Sequence, residues 1–220
     1  MDAPPQTASG IEVARLYSIL APVYDIWAEL TESRARERLV QLAELARGES
    51  VLEVAVGTGK LLARVMQTGD LRNVVGLDFS HAMILRARRR LDSARGARAH
   101  LCLADGRKLP ISSRTFDVVL NCYMLDLLAE SDIPHVLEEF RRVLRPDGRL
   151  LLAVMGEQGR MVNVAWMWIY RHAPALVGGC RPVSLPHHLE RARWQVEARE
   201  RVSQNGFWSE LIVARPGARI

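Results

Sequence analysis

Residues 51–59 read Val-Leu-Glu-Val-Ala-Val-Gly-Thr-Gly, and residues 73–78 read Asn-Val-Val-Gly-Leu-Asp. The first is a short apolar run that ends in two glycines. The second is a short apolar run that ends in an acid. Runs of this length, rich in β-branched residues and closed by turn chemistry, read as buried strands. Residues 60–67 between them carry helical spacing, so the segment predicts strand, tight turn, helix, strand, with the two strands parallel. In open α/β sheets ligands bind beyond the carboxyl ends of the strands, beside helix N-termini. Gly57 and Gly59 there let a ligand approach the backbone without meeting a Cβ. Asp78, nineteen residues after Gly59, is placed to accept hydrogen bonds from both hydroxyls of a ribose. The plainer reading is an acid favoured by the dipole of the helix that follows; the glycine turn upstream tips the balance to ribose. The dinucleotide fingerprint is incomplete, because Ala55 and Leu62 stand where it wants glycine. A phosphate-binding loop is excluded by Leu61, which takes the place of its hydroxyl.

Outward from this unit the alternation continues. Ser80 is a candidate N-cap for a helix over 81–91. Strands are predicted over 99–103, 116–120 and 149–154, with a helix over 133–144 and a turn at Arg145-Pro146-Asp147-Gly148. Runs 194–202 and 208–214 flank Ser203-Gln204-Asn205-Gly206, and Asn-Gly between two such runs signals an antiparallel hairpin. Upstream, residues 11–30 and 33–46 show helical spacing, the first broken near Pro22 and the second ended by Gly48. The expected fold is α/β: a Rossmann-like, mostly parallel seven-stranded sheet with a C-terminal antiparallel hairpin and helices on both faces. Residues 1–10 read as a flexible tail and 11–220 as one domain.

Composition agrees. With 220 residues, 49% hydrophobic and 25% charged, the chain suits a single globular domain. The longest strongly apolar run, 161–170, is about half of the ~20 residues a spanning helix needs. The polar N-terminus lacks the pattern of a secretory signal, so a cytoplasmic location is expected. The net charge of +5 rests on arginine, since Lys60 and Lys108 are the two lysines. Acids are interspersed throughout, which favours a solvated surface over a nucleic-acid face. Cys102, Cys122 and Cys180 are far apart and form no CxxC pair, so no metal site is expected. The adjacent His187 and His188 cannot both face one ion from a helix or strand.

Five stretches together carry a family resemblance: Glu53-Val-Ala-Val-Gly-Thr-Gly59, Gly76-Leu-Asp-Phe-Ser-His-Ala-Met83, Ala104-Asp-Gly106 with Leu109-Pro110, Phe116-Asp-Val-Val119, and Leu144-Arg-Pro-Asp-Gly148. In order and spacing, over roughly residues 35–155, they resemble the successive motifs of class I S-adenosylmethionine-dependent methyltransferases. The nearest likeness is to the ubiquinone/menaquinone-biosynthesis group and its phospholipid N-methyltransferase relatives. Tyr17 and Tyr24-Asp25 resemble the tyrosine-bearing N-terminal helices of that group. The resemblance implies S-adenosylmethionine as cofactor and S-adenosylhomocysteine as product. It implies that Glu53, Ala55, Gly57, Thr58 and Gly59 lie against the amino-acid part of the cofactor and that Asp78 takes the ribose. Met83 would pack on the adenine and Asp105 would accept from its amino group, with Phe79, Ala104 and Gly106 also at the cofactor. Asn121 and Tyr123 would lie near the methyl-bearing sulfur, and Tyr17 and Tyr24 close to the cofactor. One departure is Ala55, where the family often has glycine. The motifs are specific for the superfamily and say little about the substrate.

Methyl transfer from a sulfonium needs alignment of the nucleophile, and a base where that nucleophile holds its proton tightly. Tyr17, Tyr24 and His172 are candidates, each also explicable structurally; no catalytic residue stands out. Glu53 lies within an apolar strand, and an unpaired buried carboxylate is costly, so a cationic partner is expected. The stretch Met161-Val-Asn-Val-Ala-Trp-Met-Trp-Ile-Tyr170 offers an adaptable apolar wall or an ordinary core helix. With the N-terminal helices over 11–47, an insert over 156–190 is expected to cover a lipophilic acceptor such as a quinone or phenol precursor, or to touch a membrane surface. Arg181 beside it is an anion-binding candidate or a solvated side chain. A phospholipid N-methyltransferase is the alternative. An RNA methyltransferase is disfavoured because Asn121-Cys-Tyr-Met124 lacks the prolines of base-methylating relatives. A non-catalytic cofactor-binding protein is the rival from another class.

Overall fold

The computed structural model describes residues 29–93, 99–156, 160–172 and 180–217. Seven strands form one sheet: β1 (Ser50–Val54), β2 (Asn73–Asp78), β3 (His100–Leu103), β4 (Phe116–Cys122), β5 (Leu144–Met155), β6 (Trp194–Gln204) and β7 (Phe207–Pro216). Six helical segments accompany them: α1 over 29–43, α2 (Lys60–Val65), α3 (His81–Asp92), α4 (Ile133–Val143), α5 (Arg160–His172) and α6 (Leu185–Arg191). The spatial order is β3-β2-β1-β4-β5-β7-β6. Strands β1 to β5 pair in parallel, and β7 runs antiparallel to both β5 and β6.

This order reverses between β1 and β4. The crossovers leaving β1 and β4 diverge there, and a crevice opens beyond the carboxyl ends of the two strands. The hydrophobic pattern fixes the layers. β1 places Leu52 and Val54 on one face against α4 and α6, in a core with Val136, Leu137, Phe140, Leu185 and Leu189. Val51 points to the other face, where Ala35, Leu39 and Ala43 of α1 pack with Leu61 and Val65 of α2. A third cluster seats α3 through Ile84, Ala87 and Leu91 against Leu62 and Val74.

Several boundaries differ from those expected. β5 begins at Leu144, because the Arg145-Pro146-Asp147-Gly148 turn is absorbed as an irregularity between the Phe116–Leu144 and Val118–Arg149 pairs. The hairpin turn is the two residues Asn205 and Gly206, at φ of 50° and 81°, which the matching twist of a two-residue turn requires. Helix α6 was not anticipated: Pro186 lies in its first turn, a position that proline fits. No helix among the described residues is long and apolar enough to cross a membrane. The expected tail over 1–10 and the helix over 11–28 lie outside the described residues.

Candidate active site

The chain leaves β1 through a left-handed staircase. Ala55 has φ of 61°, Gly57 of 53° and Gly59 of 79°. The departure from the family pattern thus falls at a position whose backbone favours glycine. A Cβ on Gly57 would meet nothing within 4 Å, so the backbone there is open to an incoming group. Gly59 serves packing instead: a Cβ would lie 3.1 Å from Ala87 Cα on α3. Asp78 joins the turn to β2. Its Oδ2 accepts from Gly57 N–H and its Oδ1 from Ser80 N–H, both at 2.8 Å. Ser80 in turn caps α3, its Oγ accepting from Met83 N–H at 3.4 Å. Burial raises the Asp78 pKa, with the amide donors of Ser80, Gly57 and Phe79 opposing.

The other expected cofactor residues among the described ones take these places. Thr58 is buried and Met83 is 4% exposed, whereas Phe79 stands open at the rim. Gly106 sits close under Val54 and Met124; a Cβ there would be 3.2 Å from Val54 Cγ1 and 3.4 Å from Met124 Sδ. Ala104 is tied to β2 through its N–H to Asp78 O at 2.9 Å. Asp105 is held by Arg107, with Nη2 to Oδ2 at 2.7 Å, and that guanidinium keeps its carboxyl below the usual range. Asn121 spans the switch point: its Nδ2 donates to Val54 O at 2.8 Å while its buried Oδ1 has no partner. Tyr123 is turned toward the hairpin. At φ of 52° its hydroxyl meets Ser209 Oγ at 2.6 Å, and burial raises its pKa.

Glu53 departs from expectation. It is 2% exposed and its Oε2 has no hydrogen-bond partner. Arg36, the cation whose field acts on it, instead donates to Glu32 Oε2 at 2.8 Å and lies 3.5 Å from Glu29. Burial drives the Glu53 pKa upward, and the charge of Asp78 adds to it. The physical reason is position: Glu53 and Val51 share the sheet face covered by α1, and Arg36 reaches that face already committed to an acid on its own helix.

Sequence reading missed two acids beside Glu53. Glu32 on α1 is buried, with Oε1 unpartnered, and burial pushes its pKa up to about 8. Asp126, just beyond β4, is fully buried; Oδ2 accepts from Met155 N–H at 3.1 Å, Oδ1 is unpartnered, and its pKa is pushed up to about 7. Only the Glu32/Arg36 spacing of four was visible in sequence, and it reads as an ordinary surface pair.

The remaining candidates do not join this centre. His172 is exposed on α5, its Nδ1 2.8 Å from Trp168 O and its ring stacked on Trp168 at 4.8 Å. Tyr17 and Tyr24 lie outside the described residues. The His187 and His188 rings are 6.0 Å apart, and no metal-holding group of three ligands occurs among the described residues. Arg181 is pinned, donating to Leu128 O at 2.9 Å. Within α5, Trp166 donates to Cys180 O at 2.9 Å and leans on Phe207, while Val164 and Trp168 are 67% and 63% exposed.

A family model described as a methyltransferase domain matches residues 51–148. A demethylmenaquinone methyltransferase of Parafrankia sp. is 32% identical over 182 residues, covering 75% of this chain and 69% of the relative. One from Thermus thermophilus is 34% identical over 141 residues, covering 62% of this chain and 63% of the relative, so the chain spans less than two thirds of that protein. A solved Burkholderia thailandensis 1,6-didemethyltoxoflavin-N1-methyltransferase, with S-adenosylhomocysteine bound, superposes with a TM-score of 0.72 at 19% identity over 99% of this chain and 94% of that one.

Proposed function

Because the chain belongs to the class I S-adenosylmethionine-dependent methyltransferases of the ubiquinone/menaquinone-biosynthesis group, we propose that it methylates a small lipophilic hydroxyarene, a quinone or phenol precursor. The cofactor follows from the family, and the residues present fit it. It carries no phosphate, and the turn at Gly57 offers open backbone without a phosphate loop. It carries an ammonium and a sulfonium, and the crevice holds a buried carboxyl oxygen on Glu53 that lacks a partner.

Glu53, Ala55, Gly57, Thr58 and Gly59 receive the amino-acid end of the cofactor. Asp78 accepts from the ribose hydroxyls with lone pairs not used by Gly57 and Ser80. Phe79 and Met83 flank the adenine, and Ala104, Asp105 and Gly106 border its amino group. Asn121 and Tyr123 shape the wall near the transferable methyl. Methyl transfer is an in-line displacement in which the protein's contribution is alignment. Helices α1 and α5 form the cover over the acceptor. Peripheral contact with the membrane that would carry such an acceptor belongs to the same reading, supported by the exposed Val164 and Trp168.

The observation that carries the acceptor class is the run of curated relatives named for menaquinone and ubiquinone methylation. Calorimetric titration with S-adenosylmethionine, S-adenosylhomocysteine and NAD comes first. Binding of the two sulfur ligands and not of NAD is expected. Methyl transfer to a naphthohydroquinone then tests the acceptor, and failure with that class in cofactor-binding protein overturns it.

A further inference from the structure

Beside the crevice lie two buried acids, Glu32 and Asp126, that none of the cofactor roles uses. Glu32 comes from α1 and Asp126 from the loop after β4, and the charge of Asp126 acts on Glu32. They are 2% and 0% exposed. Each has one oxygen engaged, Glu32 with Arg36 and Asp126 with Met155 N–H, and one oxygen without a partner. The two free oxygens, Glu32 Oε1 and Asp126 Oδ1, come from separate elements and both lack a donor hydrogen among the described residues. Leaving such atoms unsatisfied costs about 1–3 kcal/mol each, which points to a ligand that brings donors.

We propose that Glu32 and Asp126 form the acceptor subsite, binding the proton-bearing nucleophile of the substrate and taking its proton. The inference rests on the methyl-transfer reading of the crevice and adds the residues that meet the acceptor. For a hydroxyarene the hydroxyl proton passes to one carboxylate. The aryl oxide then forms the new carbon–carbon bond through its ring as the methyl's bond to sulfur breaks, and that electron pair stays on sulfur. The ring hydrogen leaves as a proton to solvent, and the carboxyl returns its own proton to the oxygen as aromaticity is restored. One proton is released overall.

The surroundings suit the task. Arg36 on α1 reaches Glu32 and also acts on Glu53, while Lys60 at the start of α2 pairs with Glu29 and acts on Glu32. Arg181 acts on Asp126 from the segment after α5. The charges of Glu32 and Asp126 act on Cys122 and that of Glu32 on Tyr123, and burial keeps both protonated. Burial raises both Glu32 and Asp126, to about 8 and about 7, so the subsite changes charge near neutrality, where a proton acceptor works best.

The test compares full-length protein with Glu32→Gln and Asp126→Asn, both near-isosteric, each checked by thermal melting so that one folded variant suffices. The probes are a naphthohydroquinone and a phosphatidylethanolamine in mixed micelles, each with S-adenosylmethionine. With the hydroquinone, wild-type kcat is expected to rise with pH through the neutral range. The variants lose kcat about a hundredfold or more and that pH dependence, while calorimetric affinity for S-adenosylhomocysteine stays within about threefold. Methylation of the amine lipid instead, with the same loss in the variants, sustains the subsite and overturns the hydroxyarene reading. Folded variants that keep kcat within threefold on the methylated probe overturn the subsite. Cofactor binding without methylation of either probe overturns both.

Discussion

The oxygens of Asp78 latch the Gly57 turn and the Ser80 cap, and in the proposed function each also offers a lone pair to a ribose hydroxyl. Asp78→Ala is therefore expected to weaken S-adenosylmethionine binding at least tenfold, about 1.4 kcal/mol, in calorimetry. Unchanged affinity in folded protein would sink the ribose assignment. Glu32 supports a prediction of opposite character. Its folded pKa of about 8 lies above its ordinary 4.5, so the native state binds the extra proton. The stabilisation this gives is complete below about 4.5 and is lost as pH rises toward 8. Glu32→Gln cannot ionise. Its melting temperature relative to wild type should therefore climb between pH 5 and pH 8; a flat difference would contradict a raised pKa. These acids also mark how far residues can be read from sequence. Asp78 was legible because its strand, turn and spacing are local. Glu32 and Asp126 were not, because their partnership exists only once α1 lies across the end of β4.

At the scale of elements, α2 and α3 meet near Gly59, whose φ is 79° and where an added Cβ would lie 3.1 Å from Ala87 Cα, forcing α3 to give way. Gly59→Ala combines left-handed strain with a backbone clash. It should cost about 1–3 kcal/mol in chemical denaturation, with a matching loss of cofactor affinity as the turn shifts. Stability within about 0.5 kcal/mol of wild type would show that the two helices are free to move apart. Strands and hairpin were legible because each announces itself within ten residues, through apolar runs and Asn205-Gly206. Helix α6 was not. Its Leu185 and Leu189 contribute only one turn's spacing, and their burial comes from packing against α4, which lies far away in the chain. The α5 stretch shows the same limit in reverse: its composition allowed a core helix or an exposed wall, and the neighbours decide. Trp166 turns inward to Phe207 and Cys180 O, while Trp168 stays out.

Across the whole molecule, arginine does more than decorate the surface. Arg149 donates to Ala43 O at 2.7 Å and pairs with Glu49 at 2.8 Å, tying the end of α1 to β5. Arg142 holds the 109–111 loop through Leu109 O and Ile111 O. The +5 charge of the sequence therefore reflects in part a set of staples between distant segments, which composition cannot distinguish from a solvated or ligand-binding surface. The longest closure joins residues 29–38 of α1 to the last hairpin. Gln204 accepts from Arg34 N–H at 2.8 Å and donates to Glu29 O at 2.9 Å, Asn205 donates to Leu30 O at 2.7 Å, and Arg38 grips Glu200 with two 2.7 Å contacts. That clasp sets where Glu32 and Arg36 stand over the crevice. Gln204→Ala removes its hydrogen bonds to Glu29, Ser33 and Arg34 of α1 and should cost about 1–2 kcal/mol. Its signature is spatial: amide exchange should quicken over 29–34 and remain slow in β1 and β4, because the sheet core does not depend on the clasp. Uniformly faster exchange through β1 and β4 would instead mean that hairpin and helix are required for the core to hold, and that the cover and the cofactor crevice fold as one unit.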